Sequence, residues 1–211
     1  MTNSNSNSNS NSSKNQKQDL GAYFLELARL GAARGASGVE EEEEEAPSEL
    51  NTINSSGGFQ VVSTDKLSVK YTTLALHGHD VGVVQASKPA PVKRLVYYFE
   101  IFVKDAGDKG QIAIGFTTDS FKMRRQPGWE ANSCGYHGDD GMLYRGQGKG
   151  ETFGPTYTAN DIVGAGINYA SQEFFFTKNG AVVGTVYKDM KGPLFPTVAV
   201  HSRNEDADID L

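Results

Sequence analysis

Four histidines and one cysteine are the side chains of this sequence best suited to metal binding or nucleophilic catalysis. His77 and His79 lie two residues apart and would share one face of an extended strand, as metal ligands often do. No cysteine lies nearby, and the only close carboxylate is Asp80. Cys134 and His137 could form a thiolate–imidazole pair, but three residues apart on a strand they point to opposite faces. The pattern favours a surface histidine pair and a buried structural cysteine, with a metal-dependent or thiol hydrolase as the alternative.

Two further motifs resemble catalytic or nucleotide-binding elements only in composition. Asp139 and Asp140 are adjacent carboxylates, but Gly141 follows them, and such a sequence is typical of a turn in which aspartate accepts backbone hydrogen bonds. The glycine-rich stretch 146–151 lacks the spacing of a phosphate-binding loop, and no helix pattern follows it. We therefore predict a chain without catalytic residues, metal ligands or cofactors.

The acidity of the chain is concentrated in its first part. Residues 1–58 hold four basic and nine acidic side chains, whereas the remaining residues hold 16 and 17. A near-neutral domain has no broad positive surface, so nucleic acid is not expected as a partner. No run reaches the roughly 18 apolar residues of a membrane span, and the start lacks a secretion signal. A single cysteine permits no intrachain disulfide, which fits a cytoplasmic and also a nuclear location.

The first 50 residues have the composition of a disordered, low-complexity acidic tail. Asn and Ser alternate early in residues 1–18, and Glu40–Glu45 is an unbroken run of carboxylates. That run indicates a solvated linker, with an acidic docking segment as the alternative. Between the two, apolar residues recur at helical spacing, which predicts one short helix over residues 19–30, capped by Asp19 and ended by Gly31.

From Phe59 onward, short β-branched and aromatic runs are separated by Gly, Pro, Asn and Asp clusters. Residues 95–103 form the clearest strand, and Asn179-Gly180 joins two such runs as hairpin turns do, because both turn positions need positive φ. The other predicted strands are 60–62, 66–71, 81–85, 111–116, 141–144, 161–168, 173–177, 181–186 and 195–200. This spacing predicts an all-β fold, an antiparallel sandwich or barrel, over residues 51–211.

Two motifs carry a family resemblance: Gln-Pro-Gly-Trp-Glu at 126–130 and Gly-Tyr-His-Gly-Asp-Asp-Gly at 135–141 resemble the signature of SPRY domains of the RanBPM type. Residues 51–59 resemble the plant branch of that family. Further matching segments lie at 97–100, 114–116, 153–158, 161–164, 176–180 and 194–198. The matches run in family order from about residue 59 to residue 200, so the resemblance is specific.

The resemblance implies a bent sandwich of two antiparallel sheets and a non-enzymatic adaptor that recognises short linear motifs of partner proteins. Members of the family act as scaffolds in CTLH-type ubiquitin ligases and were named for a proposed link to the Ran GTPase, which implies ligase subunits or Ran-related proteins as partners. They continue into LisH, CTLH and CRA regions, which are not found here, so a truncated competitor of a full-length relative is an alternative. The family's last strand is Val-Asn-Phe-Gly-like, whereas residues 206–211 depart from that pattern, so the final strand is expected to be incomplete.

Register with related SPRY domains implies a peptide-binding site on four loops. The implied contact residues are Tyr71, Thr73, Leu74, Gly110, Gln111, Met123, Arg124, Trp129 and His201. Tyr71 and Met123 would offer apolar area, while Arg124 and Gln111 would donate hydrogen bonds to an acidic or amide-rich peptide. Trp129, the only tryptophan, would either anchor its loop or face the ligand.

Overall fold

The computed structural model describes residues 19–32, 44–55, 59–74 and 76–211, which form one helix and fourteen strands. The tract at 1–18 and residues 40–43 of the acidic run lie outside these ranges. The helix, α1, spans Leu20–Ala32, and its first turn is capped by the Asp19 carboxylate, which accepts a hydrogen bond from the Ala22 N–H at 3.2 Å. The predicted short helix and its cap are therefore confirmed, but the helix continues through Gly31 and ends at Ala32.

The strands follow the helix in chain order and make two antiparallel sheets. They are β1 (Leu50–Ser55), β2 (Gln60–Val62), β3 (Ser68–Tyr71), β4 (Gly82–Ala86), β5 (Val96–Ala106), β6 (Ala113–Thr118), β7 (Ser133–His137), β8 (Met142–Tyr144), β9 (Gly150–Thr152), β10 (Ile162–Asn168), β11 (Glu173–Lys178), β12 (Ala181–Tyr187), β13 (Leu194–Val200) and β14 (Glu205–Asp210).

Sheet A has the order β12-β11-β10-β5-β14-β3-β2, and sheet B has the order β1-β4-β13-β6-β7-β8-β9. Every neighbouring pair in both sheets is antiparallel. The predicted all-β antiparallel sandwich is confirmed. Among the described residues, no helix has the length and apolar character needed to cross a membrane.

The core lies between the inner faces of the two sheets. Alternation along β5 places Tyr97, Phe99, Ile101 and Val103 in this core, as the period of two predicts. Across from them, Phe116 of β6 packs edge-on against Phe99, with ring centroids 5.5 Å apart. Aromatic packing of this kind accounts for much of the apolar area that a sandwich of this size must bury.

The last strand, β14, forms in the middle of sheet A, between β5 and β3. Its sequence departs from the family pattern, but alternation is kept, because Ala207 and Ile209 face the core and Asp206 and Asp208 face outward. Lys104 of β5 forms ion pairs with both aspartates. The expectation of an incomplete final strand is therefore corrected: small and apolar residues at alternate positions are sufficient for the pairing.

Candidate functional site

Three loops emerge together at one end of the sandwich, which we call the loop end. They are the β3–β4 loop (72–81), the β5–β6 loop (107–112) and the β13–β14 loop (201–204). Direct contacts join them: His201 Nε2 lies 3.2 Å from the His77 carbonyl oxygen, and the Lys109 N–H donates to Ser202 Oγ at 3.0 Å. The predicted loops thus lie side by side at the loop end.

The β6–β7 loop (119–132) starts at the opposite end, because Thr118 pairs with Leu194 at the beginning of β13. It then folds back along the outer face of sheet B, where Phe121 packs in a small apolar cluster with Val81, Val83, Ala113 and Ala199. Gln126 completes the return by donating from Nε2 to the Gln111 carbonyl oxygen at 2.7 Å. The fourth predicted segment therefore reaches the loop end only through this return.

Glu205, at the start of β14, is the buried group that holds the loop end together. Its side chain is fully buried, and its carboxylate accepts hydrogen bonds from the backbone N–H groups of Gln111, His201 and Ser202 and from the Ser202 hydroxyl. Burial raises the pKa of this carboxyl, although these hydrogen bonds act in the opposite direction. Glu205 is not among the residues predicted for the site. Its alternation with Ala207 and Ile209 marks it as an inward-facing acid and could have identified it.

An open groove of about 650 Å³ lies on the outer face of sheet B beside the loop end, and we call it the loop groove. It is lined by Asn54, Ser55, Phe59, His79, Phe121, Lys122, Met123 and Arg124. Its rim is basic: within the described parts of the chain, neither Lys122 nor Arg124 has a carboxylate at ion-pair distance. The loop groove therefore offers an apolar floor and unpaired positive charge to a ligand.

The predicted contact residues divide between the loop groove and its surroundings. Met123 and Arg124 line the groove itself. Leu74 is 61% exposed on the β3–β4 loop, and Thr73 beside it is half-buried. The tip of this loop is ordered by the Asp80 carboxylate, which accepts from the N–H groups of Leu76 and His77, both at 3.0 Å. An exposed leucine on a loop that is held in this way is suited to contact with a partner protein.

Tyr71 requires a correction, because its side chain is only 1% exposed. The ring belongs to the core, and its hydroxyl donates to the Asp80 carbonyl oxygen at 2.6 Å. Tyr71 therefore offers no apolar area to a peptide, and it can act only by positioning the β3–β4 loop. The alternation of β3 explains this result, since Val69 and Tyr71 share the inner face of the strand.

Gly110, Gln111 and His201 form the part of the loop end nearest to Glu205. Gly110 adopts a φ of +66° and donates to the Ala106 carbonyl oxygen at 2.8 Å, which closes the turn after β5. The backbone of Gln111 is held on both sides, because its N–H donates to the Glu205 carboxylate and its carbonyl oxygen accepts from Gln126 Nε2. The donor that Gln111 could offer to a peptide is therefore its side-chain amide and not its backbone N–H.

Trp129 packs on the outer face of sheet B, away from the lining of the loop groove. Its ring stacks on His137 with 6.4 Å between centroids and 3° between planes, and it lies 6.0 Å from the ring of Tyr144. The Arg125 guanidinium carbon lies 6.0 Å from the Trp129 ring, and Arg125 Nη2 lies 3.4 Å from His79 Nε2. Trp129 anchors the return of the β6–β7 loop, and through Arg125 it supports one wall of the groove.

The two candidate catalytic residues of β7 point to opposite faces, as strand geometry predicts. Cys134 lies in the core, and burial raises the pKa of its thiol. His137 is buried on the outer face, where its Nε2 lies 2.8 Å from the Pro127 carbonyl oxygen. Because they cannot meet, they form no thiolate–imidazole pair. In the part of the chain that the structure describes, no three His, Cys, Asp or Glu side chains cluster in a way that could hold a metal ion.

Burial of His137 is expected to make the domain less stable at mildly acidic pH. Burial lowers the pKa of this imidazole from 6.5 to about 4, so the unfolded chain takes up a proton below pH 6.5 that the folded domain excludes. The stability that this group contributes is fully present above that pH and is lost as the pH falls towards 4. We expect a loss of about 2 kcal/mol from this group between pH 7 and pH 5.

The measurement is urea unfolding across this pH range for the wild type, His137→Gln and His77→Gln. His137→Gln should flatten the pH dependence whatever its own stability, and His77→Gln, which changes an exposed side chain, is the control for a histidine substitution elsewhere. An unchanged pH profile in His137→Gln would contradict the assignment.

Comparison with known families gives a match over most of the sandwich. Residues 96–209 match the family model described as SPRY domain. A crystal structure of a human SPRY domain is similar, with a TM-score of 0.65 and 34% sequence identity, and the match covers 77% of this chain and 97% of that one. The residues matched by the family model run from the start of β5 into β14.

Two longer relatives are similar in sequence over most of this chain. The Ran-binding protein M homolog of Arabidopsis thaliana is 74% identical over 189 residues, which are 90% of this chain and 40% of that protein. The Ran-binding proteins 9/10 homolog of Drosophila melanogaster is 37% identical over 150 residues, 71% of this chain and 16% of that protein. The chain thus spans less than half the length of these relatives.

Proposed function

The chain belongs to the SPRY domain family, whose members are protein-interaction modules, and from this premise we propose that it recognises short linear motifs of other proteins in the loop groove. The observation that carries the proposal is the groove itself, an open depression beside four contacting loops. Its lining comes from three separate parts of the sequence, as is usual for a binding site built on a rigid scaffold.

The composition of the loop groove supports an acidic peptide with at least one apolar side chain. Lys122 and Arg124 on the rim favour carboxylates, because each would gain a charge-assisted hydrogen bond that the described residues do not already supply. Phe59, Phe121 and Met123 supply the apolar floor on which an anchoring side chain can be buried. Such a site binds and orients a peptide, and we assign it no catalytic role.

The identity of the partner is a finer proposal that rests on the names of the relatives. Two of them are called Ran-binding proteins, which supports Ran-related proteins as candidates. We also propose subunits of a CTLH-type ubiquitin ligase, on the basis of the RanBPM-type motifs at 126–130 and 135–141. In either case the adaptor would capture the partner through an exposed segment and not through a folded surface.

Removing the positive rim should weaken peptide binding by about tenfold, which corresponds to roughly 1.4 kcal/mol. The variant is Lys122→Ala/Arg124→Ala, and the control is Lys191→Ala, an exposed lysine at the opposite end of the sandwich. Binding is measured by fluorescence anisotropy with acidic peptides selected from a display library on the wild-type protein. Affinity should also fall with added salt, and this dependence should be weaker in the double variant.

Affinity purification of the same three proteins from cells then tests the partner. Proteins lost from Lys122→Ala/Arg124→Ala but retained by Lys191→Ala are the candidates for recognition in the loop groove. Identical partner sets and unchanged peptide affinities would place the binding site on another surface and would overturn the proposal.

A further inference from the structure

A second candidate binding surface lies on the outer face of sheet A, remote from the loop groove. Tyr98 of β5 and Phe175 of β11 stack there with parallel rings, 5.9 Å between centroids and 7° between planes. Two glycines of β10 make room for them: a Cβ at Gly164 would lie 2.1 Å from the Tyr98 hydroxyl, and one at Gly166 would lie 2.1 Å from Phe175 Cζ. The rings therefore lie flat on the backbone, and we call this pair the aromatic platform.

Polar contacts fix the aromatic platform and add one directional group beside it. The Tyr98 hydroxyl donates to Glu100 Oε2 at 2.8 Å and lies 2.9 Å from Thr177 Oγ1. Asn168, at the end of β10, is 5% exposed, and its Oδ1 accepts from two backbone N–H groups. Its Nδ2 is left as a hydrogen-bond donor beside the platform, and this donor needs a partner once a helix covers the platform and excludes water.

Helix α1 occupies the aromatic platform. The Tyr23 ring lies 4.9 Å from the Phe175 ring, and Phe24 meets Tyr98 edge-on at 6.0 Å. The Tyr23 hydroxyl accepts the hydrogen bond from Asn168 Nδ2 at 3.0 Å. The helix thus carries two adjacent aromatic residues that pack on the rings of the platform. One of them, Tyr23, also accepts the hydrogen bond from the Asn168 amide.

We propose that the aromatic platform is a docking surface for an amphipathic helix of a partner protein with an adjacent Tyr-Phe pair, and that α1 is its intramolecular occupant. A helix of thirteen residues is marginally stable in water by itself, so α1 depends on its contacts with the platform. An occupant tethered in the same chain acts at a high effective concentration, so only a helix that matches both rings and the amide can replace it. The proposal is independent of the loop groove.

The test uses the full chain with Tyr23→Ala/Phe24→Ala, which removes both rings that contact the platform and leaves the residues of the sheet unchanged. The probe is a fluorescent peptide of residues 19–32, and binding is followed by anisotropy. We expect the double variant to bind this peptide at least about tenfold more tightly than the wild type, whose own helix competes. A peptide with Tyr23→Phe should bind the double variant about fivefold more weakly, because Asn168 Nδ2 then loses its acceptor.

Two results would overturn the proposal. Equal affinity for the wild type and the double variant would show that the peptide binds outside the platform. No binding to a double variant whose thermal unfolding is still cooperative would show that α1 packs there only because the chain holds it in place. The Tyr23→Phe comparison changes the peptide alone, so it does not depend on how the sheet tolerates substitution.

Discussion

Glu205→Ala is expected to lower the free energy of unfolding by about 4 kcal/mol, because several donors lose their shared acceptor and each buried unsatisfied donor costs roughly 1–3 kcal/mol. The donors are the backbone N–H groups of Gln111, His201 and Ser202 and the Ser202 hydroxyl. Because these belong to the β5–β6 and β13–β14 loops, the substitution should also loosen the loop end and not only the start of β14.

Chemical denaturation, combined with limited proteolysis of residues 107–112 and 201–204, measures both effects. Glu151→Ala is the matched control: Glu151 pairs with Arg145 at 2.8 Å on an exposed surface, where such pairs contribute at most about 1 kcal/mol. Glu205→Gln keeps the shape of the side chain and one acceptor oxygen. Its loss of unfolding free energy should therefore lie between the losses of Glu205→Ala and Glu151→Ala. A loss below about 1 kcal/mol in Glu205→Ala would contradict the organising role of this carboxylate.

Gly128→Ala should destabilise the domain by a similar amount, about 4 kcal/mol, through strain and overpacking together. Gly128 adopts a φ of +90°, and a Cβ added there would lie 2.3 Å from the carbonyl oxygen of Tyr144. Backbone of sheet B cannot move aside as a flexible side chain can. The β6–β7 loop would have to lift from the sheet, which would displace Arg124 and weaken peptide binding in the loop groove as well.

Gly180→Ala separates the two causes, because Gly180 has a similar φ of +77° and nothing within 4 Å of an added Cβ. Gly180→Ala should lower the free energy of unfolding only by the cost of holding a residue with a Cβ in the left-handed conformation, about 1–2 kcal/mol. Thermal unfolding and peptide affinity are measured for both variants. If Gly128→Ala and Gly180→Ala lose equal stability, the close packing of the loop on sheet B is not the cause.

The two proposed surfaces lie on the outer faces of different sheets. The loop groove lies on sheet B, and the aromatic platform lies on sheet A. Occupation of one therefore leaves the other accessible, and the domain could hold two partners at the same time. This arrangement would suit an adaptor, whose task is to bring proteins together without chemistry of its own.

Local sequence patterns were sufficient to predict most of the fold. Alternation along β5 identified its buried face, Asn179-Gly180 identified the β11–β12 turn, and helical spacing after Asp19 identified α1. These features could be predicted because each depends on neighbouring residues alone. Strands β1, β7 and β9 were missed, for two reasons: β7 is buried throughout, which removes alternation, and β1 and β9 carry mostly polar or exposed side chains.

The sequence by itself determined the fold class, the family and which loops to inspect, because hydrophobic period, turn chemistry and motif order are all local. Only the tertiary structure decided which residues those loops present. The return of residues 119–132 along sheet B, the burial of Tyr71 and the hydrogen bonds of Glu205 each join segments that are distant in the chain. Such contacts are selected by packing and by the need to satisfy buried polar groups, and neither leaves a periodic trace in the sequence.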